Sequence, residues 1–243
     1  MGTVIIQDYT TKKPLQMIGH EAGVCVNADT TDPLKNLKRG IDCILSEHGR
    51  TWEFPQVYME ISGYSARVMR EFYTHIGGAP SRLQSSTRYI DYENGFDYVV
   101  PSIIRANEEA FKIYQSTMEL IRIGMQKLDQ LEIPREDCAM LLPLGMTTEV
   151  VCRTNFRNLV DMSHQRMCTR AYSEFRILFY NISKVLSEYS DEWKWLVEEC
   201  FMAKCEFFGG LCNEKKSCGR FPQPTAKPTA DQIIKKFFNS KTK

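Results

Sequence analysis

The chain has 243 residues, 43% of them hydrophobic and 25% charged, enough to enclose a core of ordinary globular composition. With 31 basic side chains against 30 acidic ones the formal net charge is +1, which excludes a whole-molecule field for nucleic acid or a membrane surface. No apolar run approaches the roughly 18 residues of a membrane span, the opening residues do not read as a signal peptide, and nine cysteines are too few for a disulfide scaffold, so a reducing, cytoplasmic setting is expected.

Taken in order, Thr3 to Tyr9 is apolar and β-branched and predicts an opening strand. Asp32-Pro33 starts a helix with an acidic cap and a proline in its first turn, carrying Leu34, Leu37, Ile41 and Ile44 to a stop near His48-Gly49. Val57 to Ser62 alternates as a strand, and Tyr64 to His75 has helical spacing. Ile76-Gly77-Gly78-Ala79-Pro80 cannot be regular and marks a loop. Pro101 to about Glu132 predicts one long helix, of a length that suggests packing against a neighbouring subunit. A strand at Thr147 to Arg153 and helices at Asn155 to Arg166 and Thr169 to Tyr189 follow. Trp193 and Trp195 sit on a short apolar helix and are expected in the core. A domain over 1–220 is expected, then a Pro- and Lys-rich extension over 221–243 with a short helix at Asp231 to Phe238. The fold class is α/β (α+β), a central mixed or antiparallel sheet flanked by helices.

Two segments carry chemistry. Ser81 to Tyr89 is dense in hydroxyls and holds Arg88, which fits an oxyanion cradle or, equally, a solvated loop. On the helix from Asn155, Arg157 and Asp161 lie four apart, which is either a surface ion pair or part of a charged site. The late cysteines Cys200, Cys205, Cys212 and Cys218 lack the tight spacing of structural zinc sites, and Cys168 is positioned to join them; free thiols, a metal site and disulfides all stay open. The four histidines show no metal-ligand spacing.

Together these segments resemble the flavin-dependent thymidylate synthases. That family carries Arg-His-Arg, a short loop and Ser, then a run ending in Ser-x-Arg-Tyr; here stand Thr74-His75-Ile76, a longer loop, Ser81, and Gln84-Ser85-Ser86-Thr87-Arg88-Tyr89. His48 to Phe54 is similar to its His-x-x-x-x-Glu-His motif, and Asn155, Arg157 and Arg166 resemble its Asn-x-Arg helix, followed by Arg170 to Arg176. The resemblance implies that His48, Glu53, His75, Asn155 and Arg157 line an FAD site, that Gln84, Ser86, Arg88 and Arg166 hold a nucleotide, and that Ser81 positions the loop. It also implies dUMP or a related pyrimidine nucleotide as substrate, NADPH and methylenetetrahydrofolate as co-substrates, and a homotetramer with shared active sites. No metal, nucleic acid or membrane is expected, and no single catalytic residue is assigned. Thr74, Ile76, Phe54, Glu71 and Ala139 depart from the pattern. Arg50, Arg67, Arg70 and Arg82 lie near enough in sequence to replace the missing cations.

Overall fold

Period-two patterning builds a four-stranded antiparallel sheet from β1 (Thr3–Ile6), β2 (Gln56–Ser65), β3 (Ser81–Gln84) and β4 (Thr147–Asn155), in the order β1-β2-β4-β3. This computed structural model describes residues 2–92, 95–224 and 232–234. Val57, Met59 and Ile61 on β2 and Val150, Cys152 and Thr154 on β4 face inward and are buried. A bulge between Ile61 and Tyr64 shifts the register of β2 against β4. On the opposite face Leu83 and Val151 are direct cross-strand partners, yet 77% and 47% exposed.

The helices are α1 (Pro14–Cys25), α2 (Pro33–Leu45), α3 (Ala66–Phe72), α4 (Ser102–Arg105), α5 (Glu108–Gln130), α6 (Arg135–Cys138), α7 (Phe156–Arg166), α8 (Ser173–Tyr189), α9 (Asp191–Cys200) and α10 (Lys204–Phe207). Behind the sheet they enclose an aromatic core: Phe156 meets Trp193 with ring centroids 5.9 Å apart, and Phe179 meets Phe201 at 5.3 Å. Among the described residues no helix is long and apolar enough to cross a membrane.

Several expected boundaries move for identifiable reasons. β1 stops at Ile6, short of Tyr9. The helix expected from Tyr64 begins at Ala66, because β2 runs to Ser65 and the Ser65 hydroxyl accepts from the Val68 N–H at 3.2 Å. The long helix expected over 101–132 is two: Asn107 caps a fresh start, accepting from the Ala110 N–H at 2.9 Å. Ser81–Gln84 is an edge strand rather than loop. Of the expected helix at Asp231 to Phe238, residues 232–234 are helical and the rest lies outside the described residues.

The sequence reading passed over α1 altogether. Lys13 offers it no side-chain cap. Instead Glu192, on α9, accepts from the backbone N–H groups of Leu15 at 2.7 Å and Gln16 at 3.2 Å, and from the Gln16 amide at 2.8 Å. α1 then lies directly on α2: a Cβ at Gly19 would stand 1.8 Å from the Asn36 carbonyl oxygen, so only glycine permits the approach. Replacing Glu192 by Ala is expected to cost about 1–3 kcal/mol and to lower hydrogen-exchange protection of α1 first. The exposed Glu198→Ala should stay within about 0.5 kcal/mol. Equal effects of the two in denaturant melts would refute the capping role.

Candidate active site

The two motif segments meet in space at the start of α7. Asn155 caps that helix, its Oδ1 accepting from the Asn158 N–H at 2.8 Å. Asn158 reaches back, its Nδ2 donating to the His75 carbonyl at 3.3 Å and the Thr154 hydroxyl at 2.9 Å. Gly78 presses on the cap from the other side. It has φ +68, and a Cβ there would stand 1.9 Å from Asn155 Nδ2, so glycine is required for both conformation and room. Arg153 donates to the Ala79 carbonyl at 3.1 Å and fixes the far side of the loop.

His75 is buried in this junction. Arg166 Nε donates to His75 Nε2 at 2.9 Å. Arginine only donates, so Nε2 is the acceptor and the ring proton sits on Nδ1. Arg166 also pairs with Glu71 at 2.8 Å and lies over the Phe175 ring at 4.6 Å. Arg82 donates to the carbonyls of His75 and Tyr73, with its guanidinium 4.7 Å above the Phe72 ring. Burial, reinforced by the cations of Arg166 and Arg82, pushes the imidazole down to about 4. Burial pushes the neighbouring Cys152 thiol up to about 11, so no thiolate stands here.

At the same corner Arg157 pairs with Glu53 at 2.7 Å, not with Asp161, and Gly49 packs against its guanidinium. Glu53 lies 3.8 Å from Arg50 as well. His48 is exposed on the turn leading to Glu53. Glu53, His75, Asn155 and Arg157 therefore meet at one helix start, partly through the asparagine clamp, and His48 stands next to the Gly49 that lies by Arg157. The nucleotide set is divided. Arg166 belongs to the His75 junction, whereas Gln84 donates to Thr148 at 3.2 Å, the Ser86 hydroxyl accepts from the Arg88 N–H at 3.3 Å, and Arg88 pairs with Glu136 at 2.6 Å. Among the described residues no hydrogen bond or ion pair joins these two parts. Reading the sequence missed Asn158 and Gly78 as the clamp and Glu71 as the partner of Arg166. The spacing of Asn158 from the Asn155 cap was the available signal for the first.

All nine cysteines are free thiols, and no group of His, Cys, Asp and Glu among the described residues has metal-site geometry.

The model of a family described as thymidylate synthase complementing protein matches residues 6–189. The chain belongs to this family. Flavin-dependent thymidylate synthases of Geobacter sulfurreducens and Sulfurisphaera tokodaii are 29% and 28% identical to it over 140 and 144 residues, or 57% and 58% of this chain. Those alignments span 60% and 54% of the two relatives, so the chain matches little more than half of their length. Among solved structures, thymidylate synthase X from Helicobacter pylori with FAD and dUMP superposes with a TM-score of 0.63 at 19% identity, covering 83% of this chain and 99% of that one. A UMP/dUMP methylase, PolB, from Streptomyces cacaoi bound with 5-Br dUMP gives 0.66 at 15%, covering 83% and 96%. These likenesses establish the shared fold. Within it this member lacks the two arginines expected around His75, and of the four nearby candidates it is Arg82 that contacts the His75 backbone.

The depressed His75 value sets a pH dependence. The unfolded imidazole titrates near 6.5 and the folded one near 4, so on acidification the unfolded chain takes the proton first. The stability contribution is whole above about pH 6.5 and is lost between there and pH 4, by roughly 2–4 kcal/mol. His75→Gln keeps an acceptor for Arg166 without titrating. Its denaturant midpoint should fall less steeply than the parent's across that window, and parallel profiles would refute the assignment.

Proposed function

We propose that this chain is a FAD-dependent thymidylate synthase that reductively methylates dUMP, or a related uridine nucleotide, at C5 with methylenetetrahydrofolate and NADPH. The observation that carries this reading is the gathering of Glu53, His75, Asn155 and Arg157 at one helix start in a member of this family, with His48 one residue before the glycine beside Arg157. The donor chemistry there fits a pyrophosphate-bearing cofactor. Arg157 is half exposed beside that helix start, and the exposed glycines of the adjoining loop leave backbone accessible. Arg157 and His48 would hold the cofactor's anionic part, with His75 and Asn155 fixing the wall behind it. When bound, FAD supplies the hydride that completes the new methyl group.

The chain's own residues bind and orient. Glu71 and His75 hold the Arg166 guanidinium from two sides, so its direction is set before any ligand arrives. Gln84, Ser86 and Arg88 would supply donors to the nucleotide, and Arg88 would exchange its exposed contact with Glu136 for a phosphate. A homotetramer with shared active sites is part of this reading, on the family resemblance. A second reading, a member that binds nucleotide or flavin without turnover, is favoured by one observation: Arg88, Arg157 and Arg166 each carry a carboxylate partner already.

Purified protein should carry a visible flavin spectrum after incubation with FAD, and should release tritium from 5-tritiated dUMP or UMP when NADPH and methylenetetrahydrofolate are added. Arg157→Gln should weaken FAD binding about tenfold or more, with Lys38→Gln unchanged. Flavin binding without tritium release from either nucleotide selects the second reading, and failure to bind flavin at all sinks both forms of the flavin site.

A further inference from the structure

A cavity of about 450 Å3 lies between the end of α7, the turn that follows it, and the segment from Lys204 to Phe221. Its volume is that of a small-molecule site, within the usual ~300–1,000 Å3. The family match ends at residue 189, so the outer wall is built by chain beyond the matched region. That wall is strapped down: Arg170 donates to the Lys216 carbonyl at 2.6 Å and stands 3.6 Å from Glu214, and the Cys212 N–H donates to the Pro222 carbonyl at 2.8 Å.

The lining has a definite charge. Arg166, Arg170 and Lys204 contribute cations, and Glu214 is the one carboxylate among the lining residues. His164 adds a polar atom without charge, because burial lowers its basicity, and its buried Nε2 has no hydrogen-bond partner among the described residues. The Lys204 ammonium, which has no ion pair among the described residues, and the half-exposed Arg170, 3.6 Å from Glu214, suit the oxygens of a phosphate dianion, with Arg166 held by His75 and Glu71 at the inner wall. Of the residues expected to hold the nucleotide substrate, only Arg166 touches this cavity.

We propose that the cavity is a second anion site, taking a phosphate monoester distinct from the one held near Gln84, Ser86 and Arg88. Its source is either the 2′-phosphate of the dinucleotide reductant or a free phosphate compound. The site stands on the cavity alone; the reductant as source rests on the function proposed above.

Cys218 provides a readout independent of turnover. It lines the cavity, is exposed, and its hydrogen bond with the Thr169 side chain lowers the thiol's pKa, so iodoacetamide should alkylate it readily. In the full chain without flavin, adenosine 2′-monophosphate at about ten times its Kd should slow that alkylation about tenfold, read by peptide mass spectrometry. Lys204→Gln should move the protection midpoint to about tenfold higher concentration, leaving the rate without ligand unchanged. Protection by inorganic phosphate at equal concentration assigns a free phosphate as the source, and stronger protection by the 2′-monophosphate assigns the reductant. No protection by either, or protection indifferent to Lys204→Gln, overturns the site. A chain that binds flavin without protection overturns this proposal alone, and one that is protected without binding flavin overturns only the proposed function. Calorimetric titration with adenosine 2′-monophosphate gives a second measure if alkylation at Cys218 is incomplete.

Discussion

The hydrogen bond from Arg166 Nε to His75 Nε2 constrains everything around it. It demands a neutral imidazole, and the surroundings enforce that state twice, by burial and by the cations of Arg166 and Arg82. Glu71 offsets the charge of Arg166 on its far side. The histidine's backbone is equally committed, since its carbonyl receives both Arg82 from β3 and Asn158 from α7. One residue thus ties the end of α3, the edge strand and the central helix together. Each of the two candidate binding regions is anchored to it, which explains how a loop with two glycines can hold a fixed shape.

Pairing of the arginines with carboxylates does not by itself make the site inert, because the pairs differ in strength. Arg157–Glu53 and Arg88–Glu136 lie in partly solvated positions, the arginine side chains 45% and 66% exposed. Exposed pairs are worth about 0–1 kcal/mol. A pair this weak is exchangeable, so the carboxylate does not bar a phosphate from either arginine. Arg166–Glu71 is different: at 18% and 30% exposure, with His75 and Phe175 completing the enclosure, it is part of the architecture. The enclosed pair fixes a direction and the exposed pairs are free to exchange, so the inventory of charges does not exclude the turnover proposed above.

How much of this was legible in the sequence followed from whether the signal was local. The Asp32 cap, the Pro33 start and the alternation through β2 and β4 rest on neighbouring residues, and those elements stand near where they were expected. α1 was missed because its cap comes from Glu192, far along the chain, and its packing face depends on a glycine whose neighbour is another helix. The break at Asn107 was readable in principle, since asparagine followed by two glutamates is a helix start, but the apolar spacing on both sides concealed it. At the site, motif order singled out His75, Asn155 and Arg157, which stand in one region of the fold. It gave no account of Asn158 and Gly78, whose contribution is contact between segments rather than chemistry of their own.

The apolar surface left over bears on assembly. α5 runs for 23 residues, yet only Met118 and Met125 on it are buried. Ile113 and Leu120, seven apart and so on one face, are 60% and 68% exposed. A second such surface is the Leu83–Val151 pair on the outer face of the sheet. Single exposed apolar residues need no explanation, but paired ones on a helix face and on a strand register do. A two-fold contact covers one patch on each of two copies. Both patches lie outside the aromatic core, one on α5 and one on the outer face of the sheet, so each is open to a partner surface.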